Sequence, residues 1–119
     1  MIDPNCVFCK IIKNEIPVKK YYEDDKFLAV FDIKPISPDH IVLMSKNHYT
    51  HTSDMPNSDW QEFILKAKEL AETHLKEIEA DGYNLLINEG EAAQSMVAHR
   101  PHCHIIFRKM DDGIKIDPR

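Results

Sequence analysis

Three histidines stand within six positions of the stretch HRPHCHIIFR, residues 99–108. In an extended strand alternate side chains share a face, so His102 and His104 should lie about 7 Å apart on one face, with Cys103 on the other. Near neutral pH an imidazole can act as a nucleophile, a proton acceptor or a metal ligand. Two imidazoles on one face can therefore meet the same ligand. Taken alone, the pattern His-x-His also fits an exposed polar strand face or a metal pair.

A second pattern whose residues could carry out chemistry is Cys6-x-x-Cys9, close to the start of the sequence. It fits a zinc half-site, a redox pair or two buried thiols. The chain has three cysteines, fewer than a typical disulfide framework needs. The pattern therefore favours metal binding or a redox pair over a set of disulfides.

The N-terminal half of the sequence predicts a short helix followed by three strands. Apolar residues at positions 7, 8, 11 and 12 have helical spacing, and this helix of about two turns should stop before Pro17. Two β-rich runs flank the polar residues 23–26 and predict a hairpin whose second strand covers residues 27–32. After a loop with two prolines, HIVLMS at residues 40–45 predicts a third strand, buried on both faces, with His40 at its entrance.

The C-terminal half predicts one long helix and two more strands. From Ser58 the apolar residues recur at helical spacing to about residues 81–82, and Ser58-x-x-Gln61 has the pattern of a capping box. YNLLIN at residues 83–88 and HCHIIFRK at residues 102–109 predict strands four and five. The predicted fold class is α+β, with an antiparallel five-stranded sheet, one long helix and one short N-terminal helix.

The composition is that of a single domain over residues 1–119. The 43% of hydrophobic residues suffice for one core, which we place at about residues 6–108, followed by a polar and loosely packed tail at residues 109–119. A formal net charge of −5 argues against nucleic-acid binding. No apolar run approaches the roughly 20 residues of a membrane span, and the first residues lack the pattern of a signal peptide. We expect a cytoplasmic protein without nucleic-acid or membrane partners.

Four segments, in order along the chain, resemble the histidine triad (HIT) family of nucleotide-binding hydrolases and transferases, in particular its phosphoramidase branch. They are CVFCKIIKNEIP, YYEDDKFLAVFDIKPISPDHIVLMSKNHY, NLLINEGEAA and HCHIIFR, and the likeness extends over about residues 6–108. The resemblance implies an α+β fold and a homodimer whose sheets join across the two-fold axis. It also implies hydrolysis of a nucleoside 5'-monophosphate amide or ester through a covalent nucleotidyl-histidine intermediate.

The spacing of the histidines departs from the pattern of that family, in which single apolar residues separate three histidines and the middle one is the nucleophile. Here His104 matches the third position and His102 the nucleophile. The first position falls on Arg100, because His99 stands one residue too early, and Pro101 occupies an apolar strand position. Proline cannot donate a ladder hydrogen bond, so we expect an edge position or a β-bulge just before His102.

The resemblance implies a role for each of several residues. His102 would attack the α-phosphorus, His104 would bind a non-bridging phosphate oxygen, and His40 would help to set the position of the nucleophile's proton. The implied substrate-binding residues are Asp32 for the ribose hydroxyls, Ile33, Phe8, Ile16 and Val30 for an apolar slot around a purine base, and Asn88 and Ser95 for the phosphate or the leaving group. From the residues alone each has a simpler interpretation, such as a core side chain or a turn former.

Some bacterial-type members of the resembled family bind a structural zinc through the same Cys-x-x-Cys pattern. The ligands implied for this chain are Cys6, Cys9, His48 and His99. Two thiolates and two imidazoles make a closed tetrahedral site, which is typical of structural zinc. We expect Cys103 to face the core, and His51 and His74 to be surface or helix histidines without ligand partners.

Three other functions stay open. A different leaving group would make the chain a dinucleoside polyphosphate hydrolase. The altered histidine spacing is compatible with a non-catalytic nucleotide-binding adaptor, and the histidines themselves are compatible with a zinc-dependent hydrolase. The histidine-nucleophile mechanism needs no catalytic metal and no organic cofactor.

Overall fold

The structure, a computed structural model, describes residues 7–93 and 101–116. Its helices are α1 (Val7–Ile12) and α2 (Asn57–Glu77), and its strands are β1 (Lys20–Glu23), β2 (Phe27–Phe31), β3 (Ile41–Ser45), β4 (Gly82–Leu86) and β5 (His102–Arg108). Short 3-10 turns cover Thr52–Asp54 and Glu91–Ala93. The fold class is the predicted one, an α+β fold with a five-stranded antiparallel sheet.

The strands lie in the order β1-β2-β3-β5-β4 within this sheet. The predicted hairpin is present, with a register shift between Lys20 and Tyr22. All five residues of β3 are buried, as its continuous apolar run predicts. Pro101 lies immediately before β5, where its missing N–H removes no ladder bond of that strand. The β-bulge expected there concerns residues 94–100, which lie outside the described part of the chain.

The sheet has two differently covered faces. One face packs against α2, and β5 contributes Cys103, Ile105 and Phe107 to the core on that side. Alternate residues of β2 and β3, among them Val42 and Met44, form a second core on the opposite face, which also includes Cys9 of α1. Across the sheet, Val42 pairs with His104 and Met44 with His102. Because directly paired residues share a face, both histidines lie on the side away from α2.

Helix α2 begins and ends at different points from those predicted. The expected capping box of Ser58 and Gln61 is wrong, because Pro56 is the N-cap residue and Ser58 is already inside the helix. Pro56 has a ψ of 148°, which is not helical, so the helix begins at the next residue, Asn57. At the other end the helix stops at Glu77, and Glu79 adopts a left-handed φ of 53° before the chain turns into β4.

None of the described residues 109–116 is buried, yet a local hydrogen-bond network orders the turn that follows β5. Arg108 at the end of β5 makes two hydrogen bonds to the carboxylate of Asp112, at 2.9 and 3.1 Å, and another to the carbonyl of Ile114. The guanidinium lowers the pKa of Asp112 well below its ordinary value. This paired arginine organises the turn, a feature that a count of polar residues does not reveal. Among the described residues, no helix combines the length and the apolar character needed to cross a bilayer.

The aromatic contact between α2 and the sheet leads to a stability prediction. Phe63 is fully buried, with its ring centroid 6.3 Å from that of Phe27 and 5.9 Å from that of Trp60. Replacing Phe63 by Ala should lower the free energy of unfolding by about 3–5 kcal/mol, because it leaves a cavity in the main core. The milder Phe63→Leu should cost about 1 kcal/mol.

Leu65 lies on the same helix and is 55% exposed, so Leu65→Ala is the matched control and should change stability by less than about 0.5 kcal/mol. Urea unfolding followed by circular dichroism measures all three variants. Equal losses for Phe63→Ala and Leu65→Ala would contradict the assignment of Phe63 to the core.

Candidate active site

Strand β5, which lies between β3 and β4, presents His102 and His104 side by side. Their ring centroids are 4.9 Å apart and the rings are nearly perpendicular, at 75°. They are closer than the spacing along a strand predicts, because the two rings incline toward each other. His102 is 3% exposed, whereas His104 is partly exposed. Of the two imidazoles, His104 therefore offers more surface to a ligand.

His40 immediately precedes β3, as predicted, and it is almost completely buried. Its Nε2 lies 2.9 Å from Nδ1 of His104, so the hydrogen bond from His40 reaches the neighbour of the expected nucleophile. Its Nδ1 accepts the backbone N–H of Ile36 at 3.1 Å. An Nδ1 that accepts must be unprotonated, so the proton of a neutral His40 is on Nε2. His104 then accepts at Nδ1, and its own proton is on Nε2.

Asp32 completes this group at the end of β2. Its Oδ2 lies 3.7 Å from Nε2 of His40, and its Oδ1 accepts the backbone N–H of Lys34 at 2.8 Å. The backbone N–H of Asp32 donates to the carbonyl of His40 at 2.8 Å, so this bond closes the loop of residues 32–40 at its base. Asp32, His40 and His104 each offer one atom that could bind a metal ion, and these three atoms lie within 4.8 Å of one another.

Burial keeps the imidazoles of this group neutral. Desolvation, followed by the charges of His102 and His40, lowers the pKa of His104 to about 4. Desolvation also lowers the pKa of His40, although the nearby Asp32 opposes the shift. At neutral pH the group therefore presents directed N–H donors and nitrogen lone pairs and not a cluster of cations. Such groups can bind a phosphate oxygen or attack an electrophilic phosphorus.

The structure places the other expected substrate-binding residues as follows. Ile33, next to Asp32, is 83% exposed. Ile16 and Val30 belong to the second core, on the same face as the histidines, where Val30 is buried and Ile16 is partly buried. Asn88 follows β4, and continuing the register of Leu86 with His104 by two residues brings it level with His102. The side chain of Phe8 and the whole of Ser95 lie outside the described part of the chain.

Two of the four expected zinc ligands come together. Sγ of the fully buried Cys9 lies 3.2 Å from Nδ1 of His48, although the two residues are 39 positions apart. In a tetrahedral zinc site with a sulfur at about 2.3 Å and a nitrogen at about 2.0 Å, the two donors lie roughly 3.5 Å apart, so the pair fits the ion. Cys6 and His99 lie outside the described residues. Cys103 faces the core as predicted, and burial raises the pKa of its thiol to about 12.

His51 and His74, both outside this group, differ in part from what the sequence predicts. His51 is exposed, as expected, but its Nδ1 lies 2.9 Å from Glu89, which also accepts the backbone N–H of Thr52. These bonds lower the pKa of Glu89 to about 2 and hold the chain just beyond Asn88. His74 is on a helix but is buried and not at the surface. The sequence carries a signal for it, because His74 follows the buried Leu70 by four positions on the apolar stripe of α2.

Comparison with known proteins identifies relatives of this chain. The HIT domain family matches residues 13–111. A HIT-like protein of Methanocaldococcus jannaschii is 43% identical over 91% of this chain and 82% of its own length. An adenosine 5'-monophosphoramidase of Saccharomyces cerevisiae is 37% identical over 91% of this chain, which spans 65% of that enzyme.

The fold also matches a solved structure in this group. The crystal structure of a zinc-bound histidine triad family protein from Mycobacterium smegmatis superposes with a TM-score of 0.88 at 31% identity, over 97% of this chain and 84% of that one. Family match, sequence relatives and fold point the same way: the chain belongs to the HIT family.

Proposed function

We propose that this HIT protein is a nucleotide hydrolase that splits amides or esters of nucleoside 5'-monophosphates, with adenosine as the nucleoside. The observation that carries the proposal is the hydrogen bond between the neutral His40 and His104, beside His102 on the same face of the sheet. The family includes named hydrolases, such as the yeast phosphoramidase. Within the family, a dinucleoside polyphosphate hydrolase is the alternative with a different leaving group.

The proposed reaction has two displacements at the α-phosphorus. In the first, the lone pair of an unprotonated nitrogen of His102 forms the N–P bond while the bond from phosphorus to the leaving group breaks and the leaving amine or alcohol takes up a proton. In the second, water attacks the phosphorus and releases His102 and the nucleoside monophosphate. The Nε2–H of His104 donates to a non-bridging oxygen, on which charge develops in each transition state.

The surroundings of the histidines support the assignment of the remaining substrate groups. Asp32 lies beside His40, where its carboxylate can accept from the ribose hydroxyls. The exposed Ile33 follows it and can cover one side of a purine base. The β4–β5 register, extended by two residues beyond Leu86, would bring Asn88 level with His102, which supports a contact of Asn88 with the phosphate or the leaving group. Ser95 stays a prediction for the leaving group.

A structural zinc and a homodimer complete the proposal. Cys9 and His48 would hold the zinc together with Cys6 and His99, and the ion would tie α1 to the segment after β3. The zinc-bound relative from Mycobacterium smegmatis supports this part. For the dimer, β4 is an edge strand of the sheet and is available for pairing across a two-fold axis.

The nucleophile is tested by hydrolysis of a lysine amide of adenosine 5'-monophosphate. His102→Ala should lower kcat by roughly 10³-fold or more, because the covalent route is lost, while nucleotide binding measured by calorimetry persists. His104→Ala should retain more activity, and mass spectrometry should detect a nucleotidyl adduct on the wild-type chain but not on His102→Ala. Turnover by His102→Ala at the wild-type rate would disprove the assignment.

The same assay separates the rival functions. A zinc-dependent hydrolase that uses Asp32, His40 and His104 as ligands would lose its activity at once with a chelator, whereas the histidine nucleophile needs no metal for the chemical steps. A non-catalytic adaptor would bind the nucleotide without turnover. A substrate panel that includes a dinucleoside polyphosphate identifies the leaving group.

The zinc site is tested with two buried cysteines as a matched pair. Cys9→Ser should abolish stoichiometric zinc and lower the unfolding temperature, because it removes a proposed thiolate ligand. Cys103→Ser is the control and should leave the zinc content unchanged, since Cys103 is buried on the other face of the sheet. Elemental analysis of protein purified without chelator gives the readout. If elemental analysis finds no zinc in the wild type and none in Cys103→Ser, the proposed zinc site is refuted.

The neutral state of His104 predicts how stability depends on pH. In the unfolded chain His104 takes up its proton near its ordinary pKa of 6.5, but in the folded protein only near 4. The unfolded state therefore binds more protons between these values, so this stabilising contribution is complete above about pH 6.5 and is lost as the pH falls toward 4.

His104→Asn isolates this contribution, because the amide keeps an acceptor for His40 but does not titrate. Urea unfolding of both proteins at several pH values from 8 to 4 is the measurement. The stability of the wild type relative to the variant should decline as the pH falls from about 6.5. A constant difference across that range would contradict a buried neutral His104.

A further inference from the structure

His74 is a buried imidazole on the face of the sheet opposite the candidate active site. It projects from α2 into a set of aromatic rings, with centroid distances of 4.7 Å to Tyr21, 6.0 Å to Phe31 and 5.2 Å to Phe107. Its residue exposure is 8%. Apolar packing alone would favour a leucine at such a position, so the imidazole needs a polar explanation.

Both ring nitrogens of His74 face a carboxylate. Nδ1 lies 2.8 Å from Oε1 of Glu77, one turn along the same helix, and Tyr21 donates its hydroxyl to the same oxygen at 2.9 Å. Nε2 lies 3.3 Å from Oδ1 of Asp39, a distance typical of an ion pair but without the alignment of a full hydrogen bond. His74 therefore connects α2 to Asp39.

Asp39 is the residue directly before His40, and its backbone is unusual. It has a φ of 64°, in the left-handed region that costs most residues about 1–2 kcal/mol and that aspartate tolerates better than most. The backbone N–H of His40 donates to the carbonyl of Ser37 at 3.2 Å, which closes the same tight turn. The direction of the His40 side chain thus depends on this turn, and His74 contacts the side chain of its left-handed residue.

We propose that His74 is a positioning residue: through Asp39 it holds the turn that aims His40 at His104. This assignment rests on the proposed function, since it concerns the same site. His74 belongs neither to the histidine pattern of residues 99–104 nor to the expected substrate-binding residues. His74 touches neither the substrate nor the reacting atoms. Its effect reaches the phosphate through Asp39, His40 and His104 in sequence.

Three variants and one control test this connection. His74→Leu removes both ring nitrogens and keeps an apolar side chain in the aromatic surroundings, whereas His74→Gln keeps a polar amide. Asp39→Gly removes the carboxylate but retains a residue that readily adopts a positive φ. Asp111→Gly is the matched control, because Asp111 also has a left-handed φ, of 61°, and is exposed in the segment after β5.

The expected kinetic result is a loss in kcat without a comparable change in KM. His74→Leu and Asp39→Gly should each lower kcat about 10-fold, because a displaced His40 misaligns the donor that acts in the transition state. His74→Gln should recover part of the loss, and Asp111→Gly should match the wild type. The double variant of His74→Leu and Asp39→Gly should be no slower than the slower of the two single variants, since both changes break the same contact between His74 and Asp39.

A second readout does not depend on turnover. In NMR spectra of protein with ¹⁵N-labelled histidine, His74→Leu and Asp39→Gly should shift the ring signals of His40 and His104, whereas Asp111→Gly should not. If the wild type lacks hydrolase activity, the proposed function fails and these signals still decide the positioning role. Should His74→Leu fail to fold, Asp39→Gly carries the same test.

Two results would overturn the proposal. One is a set of unchanged ring signals in folded variants together with a wild-type kcat, which would make His74 a purely structural residue of the core. The other is multiplication of the two single losses in the double variant, which would show that His74 and Asp39 act independently.

Discussion

The hydrogen bond between Nε2 of His40 and Nδ1 of His104 is the interaction on which the candidate site depends. It joins residues 64 positions apart and determines which nitrogen of each ring bears the proton. Because Nδ1 of His40 accepts the backbone N–H of Ile36, the proton of His40 is on Nε2. His40 then donates to Nδ1 of His104, so the proton of His104 is on its Nε2. A protonated His40 would have an N–H facing the backbone N–H of Ile36, so the main chain itself favours the neutral ring. Burial acts in the same direction on both imidazoles.

The sheet makes this contact possible through its strand order and register. β3 and β5 are neighbours, and Val42 pairs with His104. His40 stands two positions before Val42, and the period of two along a strand brings it to the same face. Below these rings the same face carries the second core, with Val42 and Met44. Apolar packing therefore desolvates the histidines, and their hydrogen bonds to each other offset part of the cost of burial.

Local patterns in the sequence predict the elements and the faces, but not the contacts between distant segments. Alternation along β5 correctly separates Cys103 from the two histidines, and the resemblance to a family selects His40 and Asp32. The spacing cannot show that His40 bonds to His104, because that depends on which strands are neighbours. The Ser58 capping box was wrong because Pro56 starts the helix first, and the ordered turn after Arg108 depends on an arginine whose partners lie four and six positions further on.

A neutral site changes how a phosphate would be recognised by this acidic chain. With a formal net charge of −5 and Asp32 close to His40, long-range attraction does not favour an anion. Recognition then depends on N–H donors whose directions are set before the ligand arrives, since an oriented donor in a desolvated site keeps most of its strength. Such donors need rigid support, and the loop of residues 32–40 receives it from backbone bonds at its base and from His74 beneath it. The precision of the site therefore depends on contacts on both faces of the sheet.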